Sequence, residues 1–344
     1  MTEPGSVMLS EIRETPKILH GIAKLFDNNE DIRNLYKKQN FQSVIILARG
    51  TSDNAAHFLK YLIEIKLGLP VGLASPSAAT MYSAKFNYSK TLVIALSQSG
   101  QSSDLITFAK AAKEGGGFIL SITNDSESPL AKLSDLHIPI NAGPEIAVPA
   151  TKSYVGQIFI SYLLVLAWAN EETDTDQIIK NSQEWCDSIN SVAAFCTDLQ
   201  IKKPIYVLGR GISYPNAKEF ALKLQETSLI PVQGMSSSDF LHGPIASLDK
   251  ESQVIFIAPK LIPKDSFGEA PARVREVTGK VLWIGSSEFA TDKDLVLEGG
   301  QAKSEIEAAI SDALAFQLVT HHIAIKNGLN PDSPRGLNKV TITL

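Results

Sequence analysis

The chain has 344 residues, with 32 Lys and Arg against 37 Asp and Glu, for a formal net charge of −5. At about 150 residues per domain, this length suggests two domains, each able to form its own core. A hydrophobic share of 44% excludes wholesale disorder, and the mild acidity argues against a nucleic-acid binder, which carries a basic field.

A membrane span needs about 18 apolar residues in a row, and the most apolar stretch, 158–169, is shorter than that. The opening MTEPGSVMLSEIRE lacks the basic-then-apolar layout of a secretory signal. The two cysteines, Cys186 and Cys196, cannot build a disulfide framework and are expected to be reduced thiols of a cytoplasmic protein.

In chain order, residues 9–38 are predicted to be helical. A short apolar run then ends at Arg49-Gly50-Thr51-Ser52, and a helix over 53–66 opens on Asp and Asn and stops near Gly68-Leu69-Pro70. The run LVIAL (92–96) reads as a strand, 102–114 as a helix closed by three glycines, and FILSI (118–122) as a further strand. Helices over 153–169 and 175–195 are expected to bridge two halves, with a boundary at Lys202-Lys203-Pro204. Beyond it come strands at 206–209, 253–257 and 280–284, a helix through Glu219 and Glu226, a long helix over 305–326, and an extended tail over 330–344.

These halves repeat. IILARGTSDNAA (45–56) and YVLGRGISYPNA (206–217) share Leu47/Leu208, Arg49/Arg210, Gly50/Gly211, Ser52/Ser213 and Ala56/Ala217 at an offset of 161. The same offset pairs LVIAL with QVIFI, and an offset of 162 pairs FILSI with KVLWI. Apolar runs alternating with helices predict an α/β fold of two tandem doubly wound domains, with parallel sheets flanked by helices. The expected organisation is an N-terminal helix and first domain over 1–200, a second domain over 201–329 and a C-terminal tail or lid over 330–344.

Ligands of such sheets bind where strands end and helices begin. Ser97-Gln98-Ser99-Gly100-Gln101-Ser102-Ser103-Asp104 offers hydroxyls, a flexible glycine and a helix start, either as an anion cradle or as an ordinary polar loop with a capping serine. A helix dipole favours an anion by about 0.3–1 kcal/mol, and charge-assisted hydrogen bonds add to it. Neither GxxxxGK[ST] nor GxGxxG is present, so the nucleotide fingerprints are missing and no cofactor is expected. The corresponding place in the second copy, Ala258-Pro259-Lys260, has no hydroxyls, which leaves phosphate binding to the first copy. Glu219, Lys223 and Glu226 share one helix stripe, either a solvated face or a functional row. His242, before Gly243-Pro244, sits at a forced turn. His57, His137 and His321-His322 show no metal-ligand spacing, so no metal is expected.

Taken together these motifs resemble the sugar isomerase (SIS) family, and more closely the isomerase half of glucosamine-6-phosphate synthase. The resemblance runs from about Ala48 to the C-terminus, through Arg49-Gly50-Thr51-Ser52, Leu96-Ser-Gln-Ser-Gly100, GPEIAVPATK (143–152), Ala221-Leu-Lys-Leu-Gln-Glu226, His242-Gly-Pro244 and Pro334-Arg-Gly-Leu-Asn-Lys339. It implies that Thr51, Ser97, Gln98, Ser99 and Ser102 bind phosphate and sugar hydroxyls, while Val148 and Ala150 line the pocket. It also implies that Glu226 moves a proton between C1 and C2, that His242 assists ring opening from the neighbouring subunit of a homodimer, and that Lys339 works at the C1/C2 end. In that case the apolar stretch 158–169 becomes an interface rather than core. The family's serine in this motif is Ala150 here, after Pro149, which removes one sugar-hydroxyl contact.

The resemblance implies a cytoplasmic phosphosugar enzyme of amino-sugar metabolism that binds neither nucleic acid nor membrane. The 344 residues leave no room for a glutaminase domain, and Thr2 follows Met1 where the synthase has its cysteine nucleophile. The expectation is therefore a glucosamine-6-phosphate deaminase, a hydrolase with isomerase-like chemistry. A fructosamine-6-phosphate deglycase or another phosphosugar isomerase is the alternative. A non-catalytic sugar-phosphate sensor is the third reading, disfavoured by the lack of space for a helix-turn-helix module.

Overall fold

The computed structural model describes residues 3–27, 29–197, 199 and 204–339. Lys202 and Lys203 of the expected boundary, and the tail from position 340 onward, lie outside the described residues. Helices α1 (Ser6–Arg13), α2 (Thr15–Asp27) and α3 (Glu30–Lys38) fill the predicted helical start. Asn29 opens α3 by accepting the Ile32 N–H at 3.1 Å. Then follow β1 (Ser43–Leu47), α4 (Gly50–Leu67), β2 (Val71–Leu73), α5 (Ser77–Thr80), β3 (Thr91–Ser97), α6 (Ser103–Glu114), β4 (Phe118–Thr123), α7 (Pro129–Leu133) and β5 (Leu136–Pro139). Helices α8 (Lys152–Ala169), α9 (Asp176–Asp187) and α10 (Ile189–Thr197) come next, with a break at Ser188 inside the stretch read as one helix over 175–195. The second copy comprises β6 (Ile205–Gly209), α11 (Tyr214–Ser228), β7 (Val232–Ser236), α12 (Ser237–Leu241), β8 (Gln253–Ala258), α13 (Ala270–Thr278), β9 (Leu282–Gly285) and β10 (Leu295–Glu298). The long helix expected over 305–326 is two, α14 (Glu305–Ser311) and α15 (Ala313–Lys326), separated at Asp312.

By their internal contacts the described residues fall into two compact units, one within 17–145, 152–174 and 338–344, the other within 1–16, 146–151 and 175–337. In the first, the strands run in the order β2-β1-β3-β4-β5, all parallel, with Ser43 opposite Thr91 and Leu92 opposite Phe118. The central strand β3 is buried at every residue, as a parallel strand covered on both faces must be. Helix α8 packs on α4 and α3, and its Trp168 donates to Ile32 O at 3.1 Å and stacks on Tyr36. The apolar stretch 158–169 is thus core of this chain rather than an interface. Phe159, Leu164 and Val165 are fully buried, which stabilises the fold by about 1.5–3 kcal/mol for each such side chain. By length and composition, windows over Lys152–Ala169 and Glu305–Lys326 could cross a membrane, but 89% and 83% of them are buried inside the fold.

In the second unit the order is β10-β9-β8-β6-β7, again all parallel. If β6 is matched to β1, the two sheets have the same strand order. The repeat extends to the backbone. Arg49 and Arg210 have φ −143° and −142°, and the glycines that follow turn left-handed at φ 55° and 57°. A side chain with a Cβ would strain that turn, which is why Arg-Gly recurs where each first strand enters its helix. The core of this unit stacks Trp283 on Phe256 at 4.8 Å, with Phe267 edge-on to Phe256 at 5.2 Å.

Candidate active site

With strand order 2-1-3, the chain reverses direction across the sheet between β1 and β3, and the carboxyl ends of these strands are where such sheets bind ligands. Both loops there carry the expected residues. Arg49 donates from Nε to the buried carboxylate of Asp104 at 2.8 Å, tying the loop after β1 to the first turn of α6. Thr51 lies in the first turn of α4, half-buried, while buried Ser52 accepts from Gln157 Nε2 at 3.0 Å. After β3, Ser97 Oγ accepts the Gly100 N–H at 3.1 Å and Ser99 Oγ accepts the Gln101 N–H at 3.3 Å. The Gln98 carbonyl accepts the Asn124 N–H at 3.0 Å from the end of β4. Gly100 stands at φ 63°, and a Cβ there would fall 2.2 Å from Ser128 Oγ, so only glycine fits. Ser102 precedes α6 at the N-cap without capping it through its side chain. The hydroxyls of Ser97, Ser99 and Ser102 and the positive end of a twelve-residue helix therefore share one loop, with Thr51 on the neighbouring strand's loop.

The same unit holds Lys339. Its Nζ lies 2.9 Å from Glu145 Oε2. Glu145 is fully buried and also accepts the Ser153 N–H at 3.1 Å and the Ser153 hydroxyl at 2.8 Å, so the start of α8 presents it to Lys339. Buried Lys152 donates to the Pro144 carbonyl at 2.6 Å, and Asn124 ties down the segment before it through Ala142 N–H and Gly143 O. Glu145 lies inside the GPEIAVPATK motif yet is no part of the sequence-based residue set. A charged residue next to an apolar run within that motif was the available signal.

In the other unit, α11 carries Glu219, Lys223 and Glu226. The row is no solvated face. Glu219 and Lys223 are fully buried, with Lys223 Nζ 3.4 Å from Glu219 and 2.5 Å from Glu226. Glu226 is the end of the row that keeps contact with solvent, at 22% side-chain exposure. His242 follows α12 at its C-cap, exposed, its N–H bonded to Asp239 O at 3.1 Å. Val148 and Ala150 are half-buried, and the Val148 N–H donates to Asp332 O at 2.9 Å. Lys260, where the second copy lacks hydroxyls, pairs with Glu298 at 3.1 Å. Both cysteines are free and buried, and burial pushes their thiols up to about 11 for Cys186 and about 12 for Cys196, so neither serves as a nucleophile near neutral pH. A surface cleft of about 480 Å³, lined by Arg33, Lys37, Glu171 and Glu172 among others, contains none of the expected site residues.

Comparison with known proteins places these features in a family. The SIS domain matches residues 35–167 and again 198–325, so the chain belongs to the SIS domain family and carries the domain twice. It is 32% identical over 350 residues to the glutamine–fructose-6-phosphate aminotransferase (isomerizing) of Aquifex aeolicus, covering 98% of this chain and 57% of that protein. The chain thus spans a little over half the length of the curated relatives it matches. The solved C-terminal domain of glucosamine-fructose-6-phosphate aminotransferase from Francisella tularensis superposes with a TM-score of 0.81 at 26% identity, covering 95% of this chain and 98% of that one. Glucosamine-6-phosphate deaminase of Thermotoga maritima shares the fold, with a TM-score of 0.77 at 23% identity over 98% of this chain and all of that one.

Proposed function

We propose that the chain is a glucosamine-6-phosphate deaminase, taking glucosamine 6-phosphate and water to fructose 6-phosphate and ammonia. Lys339, an amine paired with buried Glu145, carries this reading beyond plain isomerisation. Moving a proton between adjacent carbons needs one carboxylate, and Glu226 suffices for that. A lysine at the reacting carbons adds an ammonium that stabilises negative charge developing on the C1 oxygen, or an amine for carbonyl chemistry.

In this reading Thr51, Ser97, Gln98, Ser99 and Ser102 hold the phosphate, and Val148 and Ala150 line the sugar pocket. His242 moves a proton from the C1 hydroxyl to the ring oxygen as the ring opens to the aldehyde. Glu226 takes the proton from C2 and returns it to C1, while the C1 oxygen gains a proton and the C2 amine loses one, leaving an imine at C2. Water adds to that carbon and ammonia leaves, which yields the ketone. Bulk water vastly exceeds free ammonia, so mass action favours hydrolysis. Ala150 stands where the family motif has a serine hydroxyl, which removes one polar contact to the sugar, and a deglycase of fructosamine 6-phosphate adducts, which uses similar acid–base chemistry, is the second reading.

The purified 344-residue chain, given glucosamine 6-phosphate, is expected to release ammonia and fructose 6-phosphate in equal amounts, and Glu226→Gln to remove that signal. Turnover of a fructosamine 6-phosphate adduct alone selects the deglycase. No product above the Glu226→Gln background from either substrate defeats both readings.

A further inference from the structure

Helix α1 is capped by the far end of the chain. Asp332 Oδ2 accepts the Gly5 N–H at 3.0 Å and the Val7 N–H at 3.3 Å, and Oδ1 accepts the Met8 N–H at 2.8 Å. Asn330 Oδ1 joins at Gly5, at 3.2 Å. Gly5 offers no side chain of its own for the cap, so the tail supplies the carboxylate that the helix dipole favours. Within the same helix, buried Glu11 reaches the opposite way. Its Oε1 accepts the N–H groups of Ile146 and, at 3.3 Å, of Ala147. The circuit closes where the Asp332 carbonyl accepts the Val148 N–H at 2.9 Å. Three segments far apart in sequence (α1, residues 146–148 and residues 330–332) are thereby fixed by charge-assisted and backbone hydrogen bonds.

We propose that Glu11 and Asp332 are positioning residues that make α1 a clamp. One arm holds the segment carrying Val148 and Ala150, and the other holds the base of the tail that carries Lys339 seven residues on. Neither carboxylate needs to touch substrate. Together they fix two loop segments as one body, so loosening either loosens both. The catalytic part of this proposal rests on the deaminase reading, whereas the mechanical part does not.

Amide hydrogen exchange on the full chain tests the mechanical part. Asp332→Ala is expected to speed exchange at Gly5, Val7 and Met8, and also at Ile146, Ala147 and Val148, while the amides of β8 keep their rates. Asp332→Asn, which retains an acceptor, should show a smaller change of the same pattern. A rise confined to Gly5, Val7 and Met8 overturns the coupling, and so does a uniform rise that includes β8 in both variants. With glucosamine 6-phosphate, Glu11→Gln and Asp332→Ala should lower kcat about tenfold or more and raise KM by a smaller factor, because the clamp holds the segment lining the sugar pocket while the serine loop proposed to hold the phosphate is outside the circuit. Unchanged kcat, or a loss carried by KM, overturns the positioning role. If the unmodified chain turns over no substrate, the deaminase reading fails, and the exchange pattern still decides the clamp.

Discussion

Lys223 shares α11 with two carboxylates in a place where its own ammonium has lost almost all contact with water. Removing an ion from water costs several kcal/mol, and the opposite charges beside it help to recover that cost. Glu219, equally buried, depends on the same arrangement. Sequence alone favours a solvated stripe for three charges at this spacing, because periodicity reports which side chains share a face and not what covers the face. Besides the adjoining β7, α11 packs against α15, an element distant in sequence. Lys223→Met therefore leaves Glu219 buried beside an apolar side chain, and it should lower unfolding free energy in urea by about 3 kcal/mol. A loss below about 1 kcal/mol would mean that solvent or another partner already compensates Glu219.

The break between α14 and α15 shows what pattern reading misses at the level of elements. Residues 305–326 have helical periodicity throughout, yet Asp312 interrupts them. Its carboxyl is fully buried, Oδ1 accepts from Trp185 Nε1 at 3.2 Å, and Oδ2 has no hydrogen-bond partner among the described residues. The partner, Trp185, is 127 residues away in α9, so no local signal announces it. The repeats, the strands and the serine loop were legible because their signals are local: apolar runs, caps and an Arg-Gly turn. Glu145 and the clamp of α1 were not, because their meaning lies in residues across the chain. Burial raises the Asp312 carboxyl from 3.8 to about 7, against the opposing influence of Trp185 and Lys260. The folded chain then holds a proton that the unfolded chain has lost over this range. Stability from this group is full below about pH 4 and falls as pH rises toward about 7, by up to about 1.4 kcal/mol per pH unit. Asp312→Asn should remove that slope, so the stability difference between variant and parent grows in the variant's favour from pH 4 to pH 7. Parallel curves for the two proteins would show that Asp312 is ionised in both states.

At the scale of the whole molecule, two copies of one sheet have been put to unequal use. The first keeps hydroxyls and a helix start after its third strand, and the second has Pro259 and a lysine paired with Glu298 in that place. Duplication preserves the scaffold because strand order, buried central strands and the Arg-Gly turn are each needed for the fold. The loops are free to diverge because they are not. In the proposed mechanism the second copy contributes Glu226 and His242, and the family resemblance implies that the exposed imidazole of His242 serves the neighbouring subunit of a homodimer. Glu226 would then act in one subunit's site while His242 completes the other's. A preparation of Glu226→Ala alone has no proton-transfer base in any site, and one of His242→Ala alone has no ring-opening group in any site. Mixed under conditions that let subunits exchange, the two should form heterodimers in which one site of the two carries both intact residues. Random pairing makes half of the dimers mixed, so activity should recover to about a quarter of the parent level, read as ammonia release from glucosamine 6-phosphate. Recovery that fails although labelled subunits demonstrably exchange would place His242 and Glu226 in service of the same subunit's site.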